Sequence, residues 1–183
     1  MNPLYSAALH ELGVVLAHMD DNAVSRAVDR IALARQVALY GVGREGLQIK
    51  GMAMRLYHLG LNAHMVGDMN CPPLGVGDLL ICSAGPGHFS TVQALLEVAR
   101  RDGAGTLVIT AQSDGQCALA ADVVLLVPAQ TMADDSQPAP SVLPMGSLYE
   151  GALYLLFEAM ILRLRERLHI NPEMMRSRHT NLE

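Results

Sequence analysis

The sequence predicts an α/β fold built on a parallel sheet, and two observations carry that prediction. Five short runs, at 37–41, 62–66, 79–83, 106–110 and 123–127, are apolar and β-prone. Doubly apolar strands are the mark of a sheet covered on both faces. Helical segments are read between the first four, and a strand–helix–strand alternation requires parallel strands with helices above and below.

The elements follow in order. Residues 3–18 place Leu4, Ala8, Leu12, Val15 and Leu16 on one helical face. Asp21 or Asn22 can cap a second helix, whose stripe is Val24, Ala27, Val28, Ile31 and Ala34. The link between the last two strands, 111–122, has room for one or two helical turns. Two stretches read as loops: 67–77 (GDMNCPPLGVG), and 128–146 with its prolines and the pair Asp134-Asp135. A loop as long as the second is usually functional in a compact domain. A long helix follows at about 147–169. Its first half is apolar nearly all round, which means cover on every side. In so small a chain, part of that cover is expected from another subunit. A short helix at about 172–177 precedes the tail RHTNLE.

The chain has 183 residues, enough for one domain with a full core. Its divisions are two N-terminal helices (1–36), the α/β core (37–127), an active-site loop (128–146) and the C-terminal helices and tail (147–183). Hydrophobic residues make up 51% and charged residues 17%, which excludes a disordered chain. The net charge of −5 offers no basic field, so nucleic acid and anionic membrane are not expected as partners. Cys71, Cys82 and Cys117 are odd in number and lack CxxC spacing, as expected in a reducing compartment. The N-terminus lacks a basic n-region and carries Glu11, unlike a signal peptide. The longest apolar stretch, 152–162, is broken by Glu158 and is too short to span a bilayer. A cytoplasmic protein is expected.

Three segments carry chemistry. Gly41-Val42-Gly43-Arg44-Glu45-Gly46 follows the first strand and matches GxGxxG. Three readings are open: an anion or sugar site at a helix N-terminus, a tight β–α turn without ligand, or a dinucleotide site. The last needs an acid about 20 residues on, for which Asp68 is a loose fit. Ser83-Ala84-Gly85-Pro86-Gly87-His88 follows the third strand, where open α/β sheets bind ligands. His88 is read either as a ligand-facing group of that edge or as an exposed histidine on a Gly/Pro turn. In Pro144-Met145-Gly146-Ser147-Leu148-Tyr149-Glu150, Ser147 and Glu150 have the spacing of a capping box. That structural role stands beside a second: a carboxylate there is a general base if it faces a cleft. The histidines show no metal-ligand arrangement, and no metal or cofactor is expected.

In order, GVGREG, MAMRLYHLG, VGDMNCPPLGVGDLLI, SAGPGHFSTV, PMGSLYE and RHTNLE resemble the 6-phospho-3-hexuloisomerases of the SIS (sugar isomerase) superfamily. The resemblance covers nearly the whole chain. The tail is its most specific part, because family members commonly end in RHANLE. It implies a five-stranded parallel sheet in a Rossmann-like three-layer sandwich, a homo-oligomer (typically a tetramer) with sites between subunits, and interconversion of D-arabino-3-hexulose 6-phosphate and fructose 6-phosphate without metal or nucleotide. It further implies Glu150 as catalytic base and His179 as a histidine reaching a neighbour's site. Arg44 matches the arginine of the family's GxGRSG loop. The substrate-binding set is then Gly43, Arg44, Glu45, Ala84, Gly85, Gly87, His88, Ser90, Met145 and Ser147.

Two departures stand out. Glu45 replaces the family's serine, and Ala84-Gly85-Pro86-Gly87-His88-Phe89 replaces SGSGET, removing hydroxyls that hold the phosphate. If Glu45 faces the site, two unit charges 4 Å apart repel by about 4 kcal/mol at an effective dielectric near 20. Lost hydrogen bonds to a charged group cost about 1.5–3 kcal/mol each. Three functions follow: an isomerase holding its phosphate differently, an isomerase of an unphosphorylated sugar, or a non-catalytic, regulatory sugar-binding protein.

Overall fold

The computed structural model describes residues 2–134 and 141–182. The middle of the long loop, with Asp135, and the terminal Glu183 lie outside the described residues. Two helices, α1 (Pro3–Ala17) and α2 (Asp21–Leu33), lead into β1 (Val37–Gly41), α3 (Gly43–His58), β2 (Ala63–Met65) and β3 (Leu79–Ser83). Then come α4 (Ser90–Arg101), β4 (Gly105–Thr110), α5 (Gln116–Leu119) and β5 (Val123–Leu126). A 3-10 turn at Met132–Asp134 precedes α6 (Ser147–Arg167) and α7 (Pro172–Ser177).

The five strands form one parallel sheet in the order β2-β1-β3-β4-β5. Successive side chains leave a strand on opposite faces, and two core clusters show it. Val37, Leu39, Leu79, Ile81, Leu107 and Ile109 pack with α2, α3 and α6. Ala38, Leu80, Cys82 and Val108 pack with α4 and α5. Each large aliphatic side chain so buried contributes roughly 1.5–3 kcal/mol. The layering is helix, sheet, helix, as the resemblance implied.

Three local expectations need correction. No helix joins β2 to β3; with two prolines and three glycines, the segment that reads as a loop is one. Asp20, one residue before the expected pair, caps α2 by accepting the Asn22 N–H. The long helix stops at Arg167, because His169 turns to φ 55° and the Ile170 N–H closes back on the Arg165 carbonyl at 2.9 Å. That is a Schellman ending with histidine where glycine is usual.

The α6 helix buries Leu153, Leu156, Phe157, Met160 and Leu164, yet leaves Tyr154, Leu155 and Leu162 exposed. Its one charge within the apolar run, Glu158, takes a bidentate pair from Arg55 of α3 at 3.0 and 2.7 Å. That pair aligns α6 with α3 and so sets the geometry of their N-termini. On α1, Leu4, Tyr5 and Leu9 are exposed as well. No helix among the described residues is long and apolar enough to cross a membrane.

Candidate active site

From β1 the chain reaches β2 on one side, and it resumes at β3 on the other side of β1. The carboxyl ends of β1 and β3 therefore flank the crevice where open α/β sheets take ligands. GVGREG leaves β1 there and SAGPGH leaves β3, so topology alone brings the first two segments together.

The glycines of GVGREG divide by task. A Cβ on Gly46 would stand 2.5 Å from the Gly41 carbonyl oxygen, so this pair lets α3 start directly against the strand. Gly43 has φ +58° with open space around it, a backbone turn that presents the start of α3 to solvent. The Gly41–Gly46 contact explains part of the motif by packing, without a dinucleotide.

The PMGSLYE segment closes the site from above. Pro144 and Ser147 are joined by a 2.9 Å backbone hydrogen bond across Met145 (φ 54°) and Gly146 (φ 80°). This turn makes Gly146, not Ser147, the N-cap of α6, with no side-chain cap. The predicted capping box is therefore absent. Ser147 lies inside the helix, and its Oγ accepts a 2.9 Å hydrogen bond from Arg44 Nη2. Glu150 points to the same guanidinium, with Oε2 2.5 Å from Arg44 Nη2. The contact is an ion pair, since the aligned hydrogen bond from that nitrogen goes to Ser147. Burial raises the Glu150 pKa, and the charge of Arg44 opposes the rise. A carboxylate of raised basicity beside a cation is suited to taking a proton from carbon.

Glu45 does not stand free in the cleft. It is 8% exposed, and its Oε2 accepts the Ser83 hydroxyl at 2.6 Å and the Gly85 N–H at 2.9 Å. The single Ser83 proton is used there, so the Tyr149 hydroxyl, 3.2 Å from Ser83 Oγ, is the donor in that contact. Burial raises the Glu45 pKa, Ser83 and Gly85 lower it, and the Glu150 charge adds to the rise. Neither Ser83 nor Tyr149 belongs to the substrate-binding set that the resemblance implies. Their signal was position: one ends a strand at the crevice, and the other adjoins Glu150.

Ala84 and Gly85 are buried and fix the start of the β3 loop, with Ala84 N–H on the Ile109 carbonyl. Gly87 packs on Gln112, leaving His88 and Ser90 exposed at the start of α4. Met145 is exposed on its turn. The helices that begin at this edge, α3, α4, α6 and the one-turn α5, lack side-chain caps. By contrast α1, α2 and α7, which begin elsewhere, are capped by Asn2, Asp20 and Asn171. Uncapped helix starts leave N–H groups for an anion.

One predicted residue lies apart. His179 stacks on His58 at 5.3 Å, at the C-terminal end of α3. The length of α3, about 22 Å at 1.5 Å per residue, separates it from Arg44 and Glu150 in the same chain. Among the described residues, no group of three or more His, Cys, Asp or Glu converges as a metal site.

No family profile matches the chain. It is 33% identical over 175 residues to the 3-hexulose-6-phosphate isomerase of Bacillus subtilis, covering 96% of this chain and 95% of that one. It is 34% identical over 173 residues to the 3-hexulose-6-phosphate isomerase of Mycobacterium gastri, covering 94% and 86%. A crystal structure from Methanococcus jannaschii, from which a 3-hexulose-6-phosphate isomerase function was inferred, superposes with a TM-score of 0.84 at 25% identity over 98% of each chain. Those relatives span the sheet, the two loops at its carboxyl edge and the α6 start that carries Glu150, and the chain belongs to the family of 3-hexulose-6-phosphate isomerases.

Proposed function

We propose that this isomerase interconverts D-arabino-3-hexulose 6-phosphate and fructose 6-phosphate, with Glu150 as the base. The observation that carries the reading is the Arg44–Glu150–Ser147 cluster at the switch point of the sheet. Moving the carbonyl along the sugar requires a proton to pass between adjacent carbons through an enediol. Glu150 takes that proton and returns it to the neighbouring carbon, while the hydroxyl proton passes from one sugar oxygen to the other so that the enediol and then the new carbonyl form. Arg44, on the same spot, stabilises the oxyanion that develops as the carbon–hydrogen bond breaks. The uncapped N-termini of α3 and α4, with Ser90 and His88, supply donors for the phosphate. No observation favours a regulatory, non-catalytic role.

His179 belongs in this scheme only if a second copy brings it. The exposed apolar residues of α1 and α6 support assembly into an oligomer, and we propose a tetramer in which the tail of one subunit serves the site of another. A cytoplasmic location agrees with three free cysteines.

The test is a coupled assay that generates D-arabino-3-hexulose 6-phosphate in situ and follows fructose 6-phosphate. Turnover that Glu150→Ala abolishes is the expected result. Folded protein without turnover overturns the reading.

A further inference from the structure

We propose that Glu45 is a specificity-determining residue: its carboxylate occupies the anion-binding donors at the end of β3, so a substrate phosphate must compete with it. The inference rests on the reading of this site as one for a phosphorylated sugar.

The hydrogen bonds show an anion site already filled. Ser83 Oγ–H and Gly85 N–H both point at one oxygen, Glu45 Oε2, at 2.6 and 2.9 Å. Behind Ser83, the Tyr149 hydroxyl donates to Ser83 Oγ. Two donors thus end on the Glu45 carboxylate, and the Tyr149 hydroxyl backs one of them. A phosphoryl oxygen needs the same partners: a strand-end hydroxyl and a loop N–H at a topological switch point. Here the chain provides that charge from the first turn of α3, where the helix dipole favours it.

The fit is close. A Cβ at residue 85 would stand 2.8 Å from Tyr149 Cε1 and 2.9 Å from Glu45 Oε1, so Glu45 and Tyr149 fill the space beside the Gly85 N–H. What remains open is the first turn of α4, which has no side-chain cap, with exposed Ser90 and His88 beside it. The phosphate is therefore displaced toward α4, and the charge on Glu45 weakens its hold. A purely structural tether between α3 and β3 would make the same two hydrogen bonds but would not discriminate between charged and neutral ligands.

The experiment measures binding of inorganic phosphate, fructose 6-phosphate and fructose by calorimetry to the full chain and to Glu45→Gln and Glu45→Ser. Glu45→Gln keeps an acceptor for Ser83 and Gly85 but removes the charge, so it tests the charge where Glu45→Ser fails to fold. The expected result is about tenfold tighter phosphate and fructose 6-phosphate, with fructose binding unchanged. Phosphate affinity that is unchanged in folded Glu45→Gln, or undetectable in every form, overturns the proposal. Tightening toward phosphate in a protein that shows no isomerase turnover would sink the proposed reaction and leave the inference standing.

Discussion

Arg44 Nη2 stands 2.5 Å from Glu150 Oε2 and donates a 2.9 Å hydrogen bond to Ser147 Oγ, so one guanidinium ties the first turn of α3 to the first turn of α6. The proposed base and its counter-charge thus come from two helix starts that topology, not sequence proximity, places side by side. Glu150→Gln keeps the shape and loses the base, and kcat is expected to fall about 10²–10⁴-fold with little change in melting temperature. Arg44→Lys keeps the charge but replaces the longer, planar guanidinium, whose Nη2 meets both Glu150 and Ser147, with a shorter ammonium. It is expected to lower kcat about 10-fold or more. Wild-type kcat in either purified variant would remove the cluster from the mechanism.

Glu45 makes stability depend on pH in a stated direction. Its pKa in the folded chain is raised above the ordinary 4.5, chiefly by burial. For an acid raised on folding, stability is full below the ordinary value and is lost as pH climbs through the raised one. Glu45→Gln lacks this loss. The melting temperature of the variant relative to wild type is therefore expected to increase from pH 4.5 to pH 7.5. A difference that stays flat across that range would mean that Glu45 is not held against burial.

Much of this was legible in the sequence, for physical reasons that also mark where reading stopped. Apolar runs such as Leu79–Ser83 announce doubly covered strands because burial on two faces leaves no room for polar alternation. The glycines of GVGREG announce a close strand–helix turn. Sequence cannot decide the cap at Ser147, because Ser-x-x-Glu has the spacing of a capping box whether or not the serine is the cap. Two positive φ angles, at Met145 and Gly146, shift the cap by one residue and free both side chains for Arg44. The direction of Glu45 was illegible, since it depends on Ser83, Gly85 and Tyr149, which lie far away in the chain. Distance between His179 and Glu150 follows from where the tail docks on α3, and nothing in RHTNLE encodes that.

Gly46 should be the least replaceable glycine of its loop. A Cβ there meets backbone, the Gly41 carbonyl oxygen at 2.5 Å, which cannot rotate away. Gly46→Ala is expected to lose at least 1–3 kcal/mol, about the cost of overpacking. Gly43→Ala meets open space and pays only for its left-handed backbone, about 1–2 kcal/mol. Urea titration of both variants checks the order; a smaller loss at Gly46 would show that α3 can slide away from β1.

The last prediction concerns assembly. Tyr154 and Leu162 sit two turns apart on the exposed side of α6, 59% and 54% accessible. Apolar groups in such a row are costly in water unless a partner covers them. The double substitution Tyr154→Glu, Leu162→Glu is expected to give a smaller species by light scattering, with the helical content of wild type. If His179 serves a neighbouring subunit, that species is inactive although its own Arg44–Glu150 pair is untouched. Mixed oligomers of Glu150→Ala and His179→Ala, by contrast, should regain part of the wild-type activity, because some sites receive an intact glutamate from one chain and an intact histidine from another. Mixed oligomers that form and stay inactive would count against a site shared between Glu150 of one chain and His179 of another.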